Sequence, residues 1–325
     1  MEFNIREPLL AIGWRSPWIR ALSSYRPVIL LYHGVLDQRN VTDIDAKTFE
    51  MHILLLRRHF EIVSLTSIQG KRKVLDRIRV VLTFDDGFRN NAEIVAPILR
   101  KHNVPATFFV CSRHSDTSNY LWFSYLRALE EFFRGSGFHF RGRFIDMSSD
   151  RRRGNIQRLG EVLLSLKPHP VAMYEAIEKE LPHLEDFVSE GQLQGLCAGM
   201  TKDQIAELAA DPLFSIGAHT VDHPFLTKCE PDEAYRQIRE NKDWIERVSG
   251  RSCNVIAYPS GDYNETTLEQ CRSLGFVQGH AVIPVAKINS QLELPRLGIY
   301  STSLDILGFK VQWGNLMRTF GVKVG

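Results

Sequence analysis

The chain has 325 residues, of which 44% are hydrophobic and 24% charged, a globular composition that excludes wholesale disorder and a collagen-like repeat. That length accommodates one large domain or two ordinary ones. Forty Lys and Arg against thirty-eight Asp and Glu leave a net charge of +2, which gives no support to nucleic acid as a partner.

Residues 1–25 read as a mixed N-terminal arm, with Trp14 and Trp18 beside Arg15 and Arg20. Arg6, Glu7, Arg15 and Arg20 interrupt its apolar stretches, so no secretory pattern is present. No run of about 18 apolar residues marks a transmembrane helix. A cytoplasmic chain, free to associate with a membrane surface, is therefore expected. VILLYHGV (28–35) reads as a buried strand, and 47–59 as a one-sided helix with Phe49, Ile53, Leu54, Leu55 and Leu56 apolar. Strands are predicted at IVSL (62–65), IRVVLTF (78–84) and ATFFV (106–110), with a helix over 90–102 that Pro97 distorts. Strand, helix and strand repeated at this spacing indicate parallel βαβ units and an α/β fold.

The rhythm changes after Cys111. Residues 113–212 lose the strand pattern, and helices are predicted over 121–133, 155–166, 171–181 and 201–210, the last opened by a capping Thr201. Arg134, Arg141, Arg143, Arg151, Arg152, Arg153 and Arg158 crowd the same region against Asp146 and Asp150. They read as a solvated loop or as a site for an anionic or lipid-linked ligand. The α/β pattern resumes at FSIGAH (214–219), continues through a helix over 231–248, VIAY (255–258) and a helix over 265–274, and ends in strands at 276–283 and 294–299. Cys111, Cys197, Cys229, Cys253 and Cys271 lack CxxC spacing, so buried reduced thiols are expected rather than disulfides or a cysteine-ligated zinc.

Three segments carry chemistry, each at the C-terminal end of a predicted strand, the edge where parallel α/β folds collect catalytic groups. LTFDDGF (82–88) offers two adjacent carboxylates, which cannot face one direction in an extended chain and so suit different tasks, or simply form an Asp-Gly turn. SIGAHTVDHPFL (215–226) places His219 and His223 four apart, bringing two imidazoles to one side of a helical turn or compact loop. With a carboxylate they suit zinc, cobalt, nickel, manganese or iron. VIAYPSGDYN (255–264) bends at Pro259, Ser260 and Gly261 and can aim backbone N–H groups into a site. Trp122, Phe123 and Tyr125 could stack on sugar rings, but at helical spacing a core role is expected for most of them.

Taken together these residues resemble the polysaccharide deacetylase family (carbohydrate esterase family 4). Its motif T-F-D-D-G stands at Thr83–Gly87, and H-[ST]-x-x-H at His219–His223. Of R-x-P-x-G, only Pro259 and Gly261 match; the arginine position holds Ala257 and the aromatic position Ser260. A late leucine-x-histidine motif is missing, but Tyr32-His33-Gly34 resembles the early Tyr-His segment of the poly-N-acetylglucosamine deacetylase subgroup.

The resemblance implies a distorted (β/α) barrel built from 26–112 and 213–325, interrupted by a helical insertion over 113–212. It implies a divalent metal, foremost zinc, on Asp86, His219 and His223, with Asp85 as base and His33 as acid toward the leaving amine. Ser260 would lend a backbone oxyanion donor, Tyr258, Pro259 and Gly261 would contact substrate, and Arg296 would replace the missing arginine. The implied reaction removes an N-acetyl or similar N-acyl group from an amino-sugar glycan or glycoconjugate. A sugar O-acetyl esterase and a catalytically impaired carbohydrate-binding homologue are the alternatives.

Overall fold

The apolar runs become short parallel strands buried on both faces, as happens where helices cover a sheet outside and side chains fill it inside. The computed structural model describes residues 27–36, 44–68, 77–115, 117, 119–282 and 290–319, so the 1–25 arm lies outside the described residues. The chain opens with β1 (Val28–Tyr32), β2 (Val35–Leu36), β3 (Ile44–Asp45), α1 (Ala46–His59) and β4 (Glu61–Ile62), then β5 (Arg79–Phe84), α2 (Ala96–Lys101) and β6 (Ala106–Val110). A long excursion follows: α3 (Trp122–Phe132), β7 (Gly137–Phe140), β8 (Arg143–Asp146), α4 (Arg152–Ser165), α5 (Val171–Lys179), α6 (Glu190–Leu196) and α7 (Lys202–Ala210). The chain then returns through β9 (Phe214–Ala218), α8 (Pro231–Ser249), β10 (Val255–Ala257), α9 (Glu265–Ser273), β11 (Gln278–Ala281), β12 (Leu294–Gly298) and α10 (Leu304–Thr319).

The strand order β1-β12-β11-β10-β9-β6-β5 returns to β1, closing a parallel seven-stranded (β/α) barrel. The closure is irregular. β4 pairs with Arg79 and Val80 of β5, on the same edge that receives β6 at Thr83 and Phe84, and β9 meets β10 only at Ala218 and Ile256. Alternation along the strands sorts the side chains. Val80, Leu82 and Phe84 pack outward with Val95, Leu99 and the other helix residues, while Ile29, Val81, Phe109 and Ala257 form a separate inner cluster. The same period of two carries the inner face of β5 from Val81 through Thr83 to Asp85 at the rim.

The helices follow local rules. Asp45 caps α1, accepting the Thr48 N–H at 2.8 Å, and Arg57, Arg58 and His59 sit against its C-terminal dipole. Pro97 falls where the predicted 90–102 helix is distorted: a π-helical turn over Asn91–Val95 leads into α2.

The structure differs from the sequence reading in several places. The 113–212 stretch is not free of strands, because β7 and β8 form an antiparallel hairpin across Arg141 and Gly142, both at positive φ (49° and 75°). That two-residue turn matches hairpin twist, but Arg-Gly lacks the usual Asn-Gly or Asp-Gly signature. The arginine-rich segment is therefore hairpin and helix rather than loop. Its guanidinium groups are spread over local contacts: Arg141 pairs bidentately with Glu180, Arg152 donates to Met147 O and Glu130 O, and Arg134 donates to Glu131 O. Finally, the strand predicted at 62–65 shortens to Glu61–Ile62, and α10 follows the last strand where no helix was predicted.

The excursion has its own apolar cluster, running from Trp122 to Cys197 and including Tyr125, Leu129, Leu159, Met173 and Ile177. Met200 and the Ile205, Leu208 and Ala209 face of α7 pack instead with the barrel. The change of packing partner thus falls near residue 198, ahead of the sequence-derived boundary at 212.

Candidate active site

Asp85, Asp86, His33, His219, His223, Tyr258, Ser260, Gly261 and Arg296 all line one open cavity of about 510 Å³ at the C-terminal mouth of the barrel. Buried Pro259 is not among its lining residues. The adjacent carboxylates both reach the site because the chain is not extended there: Asp86 adopts φ 73° and Gly87 φ 81°. Asp85 arrives on the inner face of β5, and the left-handed Asp86 turns its own carboxylate toward the histidines. Two donors hold its carbonyl in place, the Cys111 backbone N–H at 3.1 Å from Asp86 O and the His114 ring Nε2–H at 3.0 Å.

His219 extends from the end of β9, and His223 follows in a compact loop rather than a helical turn. Asp86 Oδ1 lies 3.4 Å from His219 Nε2 and 3.5 Å from His223 Nε2. Donor atoms about 2.0–2.2 Å from a common zinc ion stand roughly 3.0–3.5 Å apart, so the spacing fits a metal. The donor chemistry fits as well. Asp86 Oδ1 is buried without a hydrogen-bond partner. His219 Nδ1 faces Ala257 O at 2.8 Å, and since a carbonyl only accepts, Nδ1 carries the proton and Nε2 keeps a free lone pair.

Cys111 Sγ also comes within reach of Asp86 and His219. Its thiol donates to His219 O at 3.0 Å, and burial together with Asp86 and Asp85 pushes its pKa well up. A neutral thiol spent as a donor is a poor ligand, which favours the imidazole of His223 as the third ligand.

Arg296 reaches Asp85 from β12, on the far side of the barrel seam. Its Nη1 and Nη2 donate to Asp85 Oδ1 and Oδ2 at 2.6 and 2.7 Å, and its guanidinium carbon lies 5.4 Å from the Phe109 ring centroid. Burial alone would push the Asp85 pKa up, but Arg296, and then His219, hold it below the ordinary carboxylate range. Ala257, at the family's usual arginine position, packs in the inner cluster beside Phe109. The guanidinium thus enters from a different strand.

His33 directly follows β1, the strand paired with β5, and its ring is stacked on Tyr300 (centroids 5.9 Å, 24°). Asn91 Nδ2 donates to His33 O at 3.0 Å, tying the residue to the turn after the carboxylates. Ser260 adopts φ 54°. The neighbouring Gly261 and Asp262 N–H groups are consumed by Tyr258 O and Pro259 O, whereas among the described residues no hydrogen bond engages the Ser260 N–H. The Tyr258 ring borders the cavity but is fully buried, and its hydroxyl donates to Leu292 O at 2.9 Å.

Sequence reasoning missed several cavity residues: Phe88, Arg127 and the exposed Tyr300. Of the three aromatic residues weighed for stacking, Trp122 and Phe123 line the cavity, while Tyr125 is buried and donates to Pro182 O. Supporting residues were also missed. Asn241 Oδ1 accepts the His219 N–H at 2.9 Å and its Nδ2 donates to Val110 O at 3.0 Å, joining two strand ends. The adjacent Asn90 and Asn91 directly after Asp-Asp-Gly-Phe-Arg were a visible signal for polar support of the turn.

The chain is similar to several known proteins. The chain is 21% identical over 282 residues, 85% of its length and 71% of the relative's, to YxkH of Bacillus subtilis (strain 168), which carries a polysaccharide deacetylase name. Among solved structures it resembles IcaB from Ammonifex degensii (TM-score 0.57, 18% identity, 89% of this chain and 98% of that one). It also resembles the Streptococcus pyogenes deacetylase PplD in complex with acetate (TM-score 0.56, 19% identity, 89% and 99%). A de-N-acetylase from Aggregatibacter actinomycetemcomitans gives TM-score 0.53 at 17% identity over 87% and 99% of the two chains. The polysaccharide deacetylase profile matches residues 72–139 and 172–279, more than half of the sequence, and the chain belongs to the polysaccharide deacetylase family.

Proposed function

We propose that this deacetylase is a metal-dependent hydrolase that removes N-acetyl groups from an amino-sugar glycan or glycoconjugate. The observation that carries the reading is the convergence of Asp86, His219 and His223 beside an ionised, arginine-held Asp85. The de-N-acetylase name of one structural relative supports the amide over the ester. A divalent ion on Asp86, His219 and His223, zinc foremost, would supply Lewis acidity toward water and the acyl carbonyl.

The remaining work falls to the chain. Asp85, kept unprotonated by Arg296, accepts the proton of the attacking water. The Ser260 N–H receives the oxyanion that develops as the carbonyl becomes tetrahedral. His33 in its protonated form delivers a proton to the nitrogen as the C–N bond breaks, releasing acetate and a free amine. An amide needs this donor, because an amine anion is not a viable leaving group at neutral pH. Phe88, Phe123 and Tyr300 give the cavity walls apolar faces suited to a sugar ring.

In the same reading the barrel segments 26–112 and 213–325 carry the chemistry, and the helical insertion walls the cavity through Trp122, Phe123 and Arg127. No helix among the described residues is long and apolar enough to cross a membrane. The five cysteines are free, which suits a reducing cytoplasm.

The test is acetate release from N-acetylglucosamine oligomers and lipid-linked N-acetyl sugars, with O-acetylated sugars run alongside. Release from the amides, abolished by chelator and by Asp85→Asn and restored by zinc in the wild type, is the expected outcome. Full activity of Asp85→Asn, or of chelated protein, would remove the base or the metal from the scheme.

A further inference from the structure

The loop that carries His223 is gripped from outside the barrel. Tyr174 Oη, on α5, donates to Asp222 O at 2.8 Å, and Trp122 Nε1, at the start of α3, donates to His223 O at 3.1 Å. The two donors are themselves joined, the Trp122 backbone N–H donating to Tyr174 Oη at 3.3 Å. The Arg113 guanidinium lies over the Tyr174 ring, 3.6 Å from its centroid, with Nη1 3.3 Å from Asp222 Oδ1.

The geometry matters because His223 has φ 52°, a left-handed conformation uncommon for residues other than glycine. Peptide groups are planar. A hydrogen bond to Asp222 O orients the plane preceding the His223 Cα, and one to His223 O orients the plane following it. The two bonds together therefore set both backbone torsions of His223, and through them the direction of its imidazole.

Buried indole and phenol groups need acceptors in any protein. Tyr125, in the same apolar cluster, meets that need inside the helical region, donating to Pro182 O at 2.8 Å. Trp122 and Tyr174 instead reach out to two consecutive carbonyls of the strained loop.

We infer that Trp122 and Tyr174 are positioning residues for His223, so that the helical insertion completes the metal site besides walling the cavity. The inference rests on the reading of His223 as a metal ligand. Trp122→Phe and Tyr174→Phe each delete one donor and keep an aromatic ring, and Tyr125→Phe is the control for losing a buried hydroxyl elsewhere in the cluster.

Zinc affinity of the full chain is measured by competition with a chromogenic chelator, alongside the Tm of the metal-free proteins. Loss of such outer support weakens metal binding about 10–100-fold. That loss is expected for Trp122→Phe and Tyr174→Phe, with Tyr125→Phe retaining wild-type affinity whatever its Tm. Unchanged affinity in both variants, or an equal loss in Tyr125→Phe, overturns the inference. A wild-type chain that binds no zinc instead refutes the ligand reading beneath it. Should Trp122→Phe fail to fold, Tyr174→Phe, one oxygen smaller than the native residue, decides the matter alone.

Discussion

Arg296→Met probes the electrostatics of the site most directly. The Arg296 and Asp85 side chains are 0% and 4% exposed, and both Nη atoms engage both carboxylate oxygens. Both side chains border the cavity yet are almost wholly enclosed by protein, so water replaces a lost partner poorly. Removing one member of such a pair costs about 3–5 kcal/mol, because the survivor keeps its desolvation penalty. Arg296→Met should lose stability of that order in guanidinium unfolding at pH 7, and Asp85→Asn should lose a comparable amount by stranding the guanidinium. The double variant replaces the pair by two neutral groups and should fall short of the additive loss by at least about 2 kcal/mol. The pH dependence has a definite sign. Burial pushes the Asp85 pKa up, but Arg296 and His219 bring it below its ordinary value. Its contribution in the wild type is therefore present above about pH 3.9 and lost as pH falls through the lower folded pKa. In Arg296→Met the burial penalty acts with its main opponent gone, so the gap to wild type should be widest near neutrality and narrow in acid as Asp85 protonates. Strict additivity in the double variant, or a single variant as stable as wild type, would refute the reasoning.

Gly87→Ala should destabilise by about 1–3 kcal/mol and depress activity, read by thermal unfolding and acetate release, through overpacking at a left-handed position. The residue sits at φ 81°, and an added Cβ would meet Val110 Cγ1 at 2.7 Å and Val110 Cα at 3.2 Å. Asn241→Ala would strip the His219 N–H and Val110 O of a buried partner. A loss of about 1–3 kcal/mol in denaturant unfolding is expected, with weaker zinc binding as His219 loosens. His52, away from the cavity, is buried with Nδ1 3.3 Å from Tyr32 Oη, and burial pushes its pKa down from 6.5 to about 4. It therefore contributes stability that is full above about pH 6.5 and disappears as pH falls toward 4, about 3 kcal/mol across that window. His52→Leu should reduce the slope of the metal-free protein's stability profile between pH 7 and 4, to which other buried histidines also contribute, and an unaltered slope would count against the assignment.

The local elements were legible because each has a local cause. The run Arg79–Phe84 is apolar and β-branched, Thr201 caps α7 through a reciprocal bond with Gln204, and Gly250 ends α8 at φ 65°. What escaped depends on partners far along the chain. The seam between β1 and β12 joins residues more than 260 positions apart, and no periodicity encodes that register. The hairpin escaped because Arg141 supplies a left-handed turn that glycine or asparagine would have announced. Arg296 could be matched to the empty arginine position only by its chemistry, since it stands 211 residues from Asp85. Two adjacent carboxylates in an extended strand must diverge, and that argument held for a regular chain. It gave way where Asp86 left the β region.

That departure is one of several, and their placement carries meaning. Six non-glycine residues among those described have positive φ, and four of them (Asp86, Thr220, His223 and Ser260) belong to the loops at the C-terminal mouth of the barrel. Each such conformation costs on the order of 1–3 kcal/mol and persists only where its surroundings over-determine it. Those surroundings can be named. Cys111 and His114 hold Asp86 O, and the Thr220 hydroxyl accepts the His223 N–H at 3.2 Å. Trp122 holds His223 O, and Gly261 N–H closes the turn beneath Ser260. The barrel is held by hydrophobic packing, and none of that packing requires left-handed residues at its mouth. The strained residues Asp86, His223 and Ser260 instead all line one cavity. The stability given up at the rim is thus tied to the groups to which the proposed mechanism gives chemical work. It follows that substitutions relaxing these four residues should tend to stabilise the fold while weakening metal binding or turnover.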